Sequence, residues 1–241
     1  MQEFITTASE FIYSGFLYDF FFAAGFVAVF VFFLWRGKFF GVSPTRSVLL
    51  VLIVYPSVVL WMFCQYWIET GAFGGNNIVR CFVYMPLFAI PAAKLLKMKW
   101  KQACDLLAPA TCVVHGVSHW GCIFAGCCHG IPWEGGMYCI ETGQYCFPSQ
   151  PLEALTAILI VVFLLWREKK NNYQIDGLSM PIMLMLFGST RFVWEFFRDN
   201  EKLWMGCSSL AFHALFMSIV GLIMYIMIKK HNEKQKTKGR K

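Results

Sequence analysis

Seven apolar windows, each ending in polar or charged residues, run along the chain at about 12–35, 48–67, 78–96, 104–126, 151–166, 177–197 and 207–228. An α-helix rises 1.5 Å per residue, so such windows are long enough to cross a hydrocarbon core of roughly 30 Å. The pattern predicts an all-α fold: a polytopic membrane protein of seven transmembrane helices, with one transmembrane domain over 1–228 and a basic tail over 229–241. The first window carries Asp19, has no short basic stretch before it and no small-x-small cleavage pattern after it. It reads as a retained anchor rather than a signal peptide.

Composition agrees with this reading. Hydrophobic residues make up 58% of the chain and charged ones only 15%, where soluble domains carry about a quarter charged residues. With alternate crossings, 17 of the 21 Lys and Arg fall on one side: Arg36, Lys38, Arg46, the cluster from Lys94 to Lys101, Arg167, Lys169, Lys170, and the residues from Lys229 onward. The positive-inside rule makes that side cytoplasmic, with the N-terminus outside and the C-terminus inside. A basic tail beside anionic lipid explains the net charge of +7 without a nucleic-acid partner.

The same topology gathers the remaining ionisable residues at the outer face. Arg80 opens the third window, His119 lies near the end of the fourth, His129, Glu134 and Glu141 follow it, and Arg191, Glu195 and Arg198 close the sixth. Ionisable groups at membrane depth are costly and mark function by default. Arg191, Glu195 and Arg198 are spaced i, i+4, i+7, one stripe of a helix. That spacing suits a paired guanidinium site in which Glu195 orients two arginines to grip a phosphate; the alternative is a snorkelling interfacial set with a weak ion pair.

Ten cysteines need separate accounts. Cys64, Cys81, Cys104 and Cys207 stand alone near apolar windows and read as packing residues. Cys112, His115, His119 and Cys122 share one helical face, but ten residues of helix advance about 15 Å, too far for one tetrahedral ion to bind all four. At most one pair could serve, with other ligands supplied from elsewhere. Cys127, Cys128, Cys139 and Cys146 lie at or beyond the outer end of the fourth window and are candidates for one or two disulfides, with a reduced cluster or a metal site as alternatives. No metal or cofactor is assigned.

The run His119-Trp-Gly121-Cys122-Ile-Phe-Ala-Gly126-Cys127-Cys128-His129-Gly130 is similar to the Gly-Arg-x-Gly-Asn-Phe-x-Asn-Gly-Glu-x-x-Gly signature of the bacterial prolipoprotein diacylglyceryl transferase family. Asp105-Leu-Leu-Ala-Pro109, Phe147-Pro148-Ser149-Gln150-Pro-Leu-Glu153, Asp176-Gly177 and Arg191-Phe-Val-Trp-Glu195-Phe-Phe-Arg198 resemble further family segments in the same order. The departures fall at the site: His119 stands where the family has arginine, Cys122 where it has asparagine, and Cys127 where it has glutamate. Ser14-Gly15 and Phe73-Gly74-Gly75 stand for its Tyr-Gly and His-Gly-Gly.

The resemblance implies transfer of diacylglyceryl from phosphatidylglycerol to the lipobox cysteine thiol of a prolipoprotein signal peptide, at the outer leaflet of a bacterial inner membrane. Arg191 and Arg198, oriented by Glu195, would stabilise the leaving glycerol phosphate, with Arg80 as a possible third cation. His119 or His129 would take the thiol proton. Gly121, Gly126 and Gly130 would let backbone approach the headgroup, and Tyr18, Cys122 and Gln150 complete the expected substrate contacts. Two other classes remain: a membrane thiol–disulfide oxidoreductase using the outer cysteines, and a non-catalytic relative that binds lipid or peptide.

Overall fold

A computed structural model describes residues 15–72, 78–204 and 206–238. It is mainly helical. The elements are α1 (Gly15–Gly37), α2 (Pro44–Thr70), α3 (Ile78–Leu95), α4 (Trp100–Ser118), a one-turn α5 (Gly121–Ala125), strands β1 (Pro132–Cys139) and β2 (Gln144–Cys146), α6 (Ser149–Lys170), α7 (Ser179–Glu195) and α8 (Ser209–Lys238). Among the described residues five spans are long and apolar enough to cross a membrane: α1, α2, α4 with α5, α6, and α8 over Ser209–Gln235. The third and sixth windows form shorter helices, of 18 and 17 residues. Tyr13, Ser14 and Phe73-Gly74-Gly75 lie outside the described residues.

Local sequence explains several boundaries. Ser43 caps α2 ahead of Pro44, whose fixed φ suits a first helical position. Gly71 ends the helix in the left-handed conformation at φ 72°. The fourth window is not one helix: α4 stops at Ser118, and His119 and Trp120 form a turn before α5 begins. The expected separate tail is continuous with the last helix, since α8 runs on to Lys238.

The expectation of an all-α fold misses one feature. Residues 132–146 form an antiparallel β-hairpin that turns through Gly143 at φ 68°, with Tyr138 opposite Tyr145 and Cys139 opposite Gln144. Aromatic residues and a glycine turn inside a polar loop favour such pairing.

Helix α4 lies at the centre, packed against α1, α3, α6 and α7. Its small residues Ala103, Ala108, Ala110 and Cys112 are fully buried and let neighbouring helices approach closely. Outward-facing Val27, Leu159 and Ile223 are more than half exposed, as a lipid-facing surface requires.

At one end of the bundle, Arg36 of α1 is 1% exposed. It donates to both oxygens of Glu168 at 2.6 Å and to the carbonyls of Leu106 and Asp105. Asp105 accepts from the backbone N–H groups of Gly177 and Ser179 at 2.8 and 3.0 Å, which ties α4 to the start of α7. The count of solvated basic anchors therefore includes one arginine that is buried structurally.

Candidate functional site

The opposite end of the bundle is organised around one carboxylate. Glu153, in the first turns of α6, is 3% exposed. Its Oε1 accepts from Arg191, and from Arg198 Nη1 at 2.7 Å. Its Oε2 lies 3.2 Å from His119 Nε2 and 3.9 Å from His115 Nε2. Two guanidinium groups and two imidazoles from three segments of chain thus meet at one acid. The sequence motifs give Glu153 no role of its own; the signal that points to it is a lone carboxylate inside an apolar window.

The arginine stripe is partly corrected. Helix α7 ends at Glu195, so Arg198 lies beyond it, in a bridge that pairs Arg198 with Gly130. Glu195 holds Arg191 at 2.9 Å and is itself fixed by Ser208 Oγ at 2.7 Å and by Asn200. The acid that joins the two arginines is therefore Glu153, not Glu195. Burial disfavours the charge on Arg198, but Glu153 and the Cys128 thiol beside it outweigh burial and push its pKa up. The Nε–H groups of Arg191 and Arg198 are buried without a hydrogen-bond partner, leaving donors free for an acceptor from a ligand.

Other predicted residues separate. Arg80 pairs with Glu69 at 2.6 Å. His129 lies 3.7 Å from Glu141 and 4.0 Å from Asp199, grouped with Cys139 and Cys146 rather than with His119. The glycines serve packing rather than an open cradle. A Cβ on Gly121 would meet Tyr18 O at 3.1 Å, and one on Gly130 would meet Phe147 O at 2.5 Å. The N–H groups of Gly126 and Gly130 are spent on Ile123 O and Phe147 O. Gln150 Nε2 donates to Cys127 O at 3.0 Å, so it braces the loop.

All ten cysteines are free thiols. Cys127 and Cys128 join Cys122 in one cluster, whereas Cys139 and Cys146 form the other with His129. Contacts with the Cys122 and Cys127 thiols, and then Arg198 and His119, hold the Cys128 thiol well below its ordinary range despite burial.

A cavity of about 390 Å³ reaches this polar end from between the helices. Its walls are apolar, including Phe26, Val58 and Met85, while Tyr18, His115, His119 and the three clustered thiols form its polar side. Such a shape can take an apolar chain along its walls and a polar group at its histidine and thiol end.

Comparison with known proteins agrees with the geometry. Phosphatidylglycerol–prolipoprotein diacylglyceryl transferase 2 of Clostridium perfringens (strain 13 / Type A) is 27% identical over 150 residues, covering 58% of this chain and 58% of that protein. The phosphatidylglycerol–prolipoprotein diacylglyceryl transferase of Streptococcus pyogenes serotype M5 (strain Manfredo) is 25% identical over 139 residues, covering 54% and 52%. The chain thus spans a little over half the length of these curated relatives. The family model for prolipoprotein diacylglyceryl transferase matches residues 17–227. With most of its length matched, the chain belongs to the prolipoprotein diacylglyceryl transferase family.

Proposed function

We propose that this protein transfers diacylglyceryl from phosphatidylglycerol to the thiol of a lipobox cysteine in a prolipoprotein signal peptide. In this reading seven helices cross the membrane, the N-terminus lies outside, and the site faces the outer leaflet. The observation that carries it is the convergence of Arg191, Arg198, His115 and His119 on Glu153, with the two histidines also lining the 390 Å³ cavity. Family membership and the printed names of the relatives support the substrate pair.

The chemistry follows from the charges. The acyl chains lie along the apolar walls, and the phosphate meets the unpaired donors of Arg191 and Arg198. The incoming thiolate attacks the glyceryl carbon, the C–O bond to phosphate breaks, a C–S bond forms, and glycerol phosphate leaves with the electron pair. Fixed cations in a low-dielectric site stabilise that leaving charge more than water would. His119, held 3.2 Å from Glu153, is placed to accept the thiol proton.

Mass spectrometry of lipoproteins from cells that depend on this protein alone tests the reading. The expected product is a prolipoprotein with a diacylglyceryl thioether on its lipobox cysteine. Unmodified precursor in cells that contain the folded protein in the membrane would overturn it. Labelling of a Glu141→Cys variant by an impermeant reagent from outside checks the sidedness, and protection there would reverse it. The clustered thiols favour a second reading, a thiol–disulfide oxidoreductase, which requires that Cys127 and Cys128 variants lose function while Arg191 and Arg198 variants keep it.

A further inference from the structure

The three thiols beside the cavity have no task in the transfer as written above. Cys122, Cys127 and Cys128 place their sulfur atoms within 4.8 Å of one another. A zinc ion with bonds of about 2.3 Å to three sulfurs needs them roughly 3.8 Å apart, a separation that small rotamer changes reach. Side chains of consecutive residues ordinarily point apart in extended chain. The left-handed conformation of Cys128, at φ 63°, instead lets both neighbours meet Cys122. Two side chains from the start of α6 hold that turn: Ser149 Oγ donates to Cys128 O at 2.7 Å and Gln150 Nε2 to Cys127 O.

The surroundings are those of a supported metal site. His119 Nδ1 is 3.7 Å from Cys122 Sγ, while its Nε2 faces Glu153; a carboxylate behind a histidine at a metal centre is a recurring arrangement. Arg198 contacts Cys128 and offsets the negative charge that three thiolates would leave around a divalent ion. The other two clusters are weaker candidates. His115, His119 and Glu153 already hold two arginines, and Cys139 and Cys146 lie on one hairpin away from the lipid cavity.

We propose that Cys122, Cys127 and Cys128 form a three-thiolate site for a soft divalent cation of the zinc class, with its fourth position open toward the cavity beside His119. Soft sulfur ligands select such ions, and an open position is the mark of a working rather than a purely structural site. The role of that position rests on the transferase reading. An incoming thiol would bind there as thiolate and pass its proton to His119, then form the C–S bond as the C–O bond breaks and glycerol phosphate leaves with the electron pair; the metal would keep its oxidation state.

The test uses the full chain, purified in detergent, kept reduced and loaded with zinc chloride. Elemental analysis should give one zinc per chain, and X-ray absorption should count three sulfur neighbours at about 2.3 Å. Cys122→Ser, Cys127→Ser and Cys128→Ser should each weaken binding by more than the roughly 100-fold that loss of a supporting partner costs. Cys139→Ser and Cys146→Ser should bind as wild type does. Zinc lost with the latter pair, or no zinc with all ten thiols open to titration, overturns the proposal. If the serine variants fail to fold, fewer than three sulfurs in the wild-type spectrum does the same. None of these measurements needs lipid or prolipoprotein, so failure of the transferase reading leaves them intact. Full transfer by metal-free protein removes the metal from the reaction while leaving the transferase.

Discussion

Helix α6 carries two buried glutamates, and each meets arginine, yet their surroundings differ. Glu168 and Glu153 are fifteen residues apart, about 22 Å along the helix. At Glu168 one carboxylate faces one guanidinium, with Ser179 Oγ at 3.1 Å and the carbonyls of Leu106 and Asp105 also accepting from Arg36, whose Nε–H is buried without a partner. Phe32 and Phe40 cover the Arg36 guanidinium at 5.2 and 5.3 Å. That cluster closes on itself and fastens α1, α4, α6 and α7 together. At Glu153 two arginines and two histidines share one acid, with Glu195 on Arg191 as a second carboxylate, and beside the histidines lie a cavity and three thiols. Each arrangement leaves an arginine Nε–H without a partner, so the two differ in the histidines that share Glu153 and line the cavity. The comparison teaches that burial and ion pairing alone do not mark a site. Titratable histidines that share the buried acid and line open volume do.

The sharpest way to break this comparison is to neutralise the two acids in turn. Glu153→Gln should lower diacylglyceryl transfer per folded molecule by about 100-fold or more, because both arginines lose their shared anchor. Glu168→Gln should lower the melting temperature while leaving transfer per folded molecule near wild type. Equal loss of turnover in the two variants would erase the distinction.

The arginines sharpen it next. A lysine keeps the charge of a guanidinium but not its planar fork, so Arg191→Lys and Arg198→Lys should each cost about 10- to 100-fold in transfer, with membrane insertion intact by protease protection. Near wild-type turnover in both would make them interfacial anchors. A smaller effect is expected at the other end. Arg36→Met alone should destabilise by about 3–5 kcal/mol, since it strands a buried carboxylate, whereas Arg36→Met combined with Glu168→Met should recover most of that loss. Thermal unfolding in detergent measures both. A double variant as unstable as the single one would show that Arg36 acts mainly through the carbonyls of Leu106 and Asp105.

The smallest effect concerns the brace on the cysteine turn. Gln150→Ala removes one hydrogen bond to Cys127 O, worth about 1 kcal/mol. It should raise the reactivity of Cys127 and Cys128 toward a thiol reagent without changing that of Cys139. Unchanged reactivity would leave Gln150 out of the support for that turn.

Several features were legible in the chain because they depend on local or summed properties. Apolar windows give helices wherever they occur, and the gathering of Arg191, Arg198 and His119 at one end follows from counting crossings. The motifs around Gly130, Gln150 and Glu195 carried the family. The hairpin was not legible, because eight residues of mixed polarity in Pro132–Cys139 pair only once Gln144–Cys146 is brought alongside.

By itself the sequence determined that this is a helical membrane chain, which segments carry the clustered lysines, and which residue types were available for chemistry. Hydrophobic length and charge asymmetry act on each segment separately, so no packing is needed to read them. Only the tertiary structure decided which acid holds the arginines, that His129 parts from His119, and that Cys122 meets Cys127 and Cys128 rather than Cys112. Those pairings depend on where α4 breaks at His119 and how α6 and α7 dock against it. A break of two residues redirects every side chain beyond it, and nothing in the spacing of residues along the chain fixes that direction.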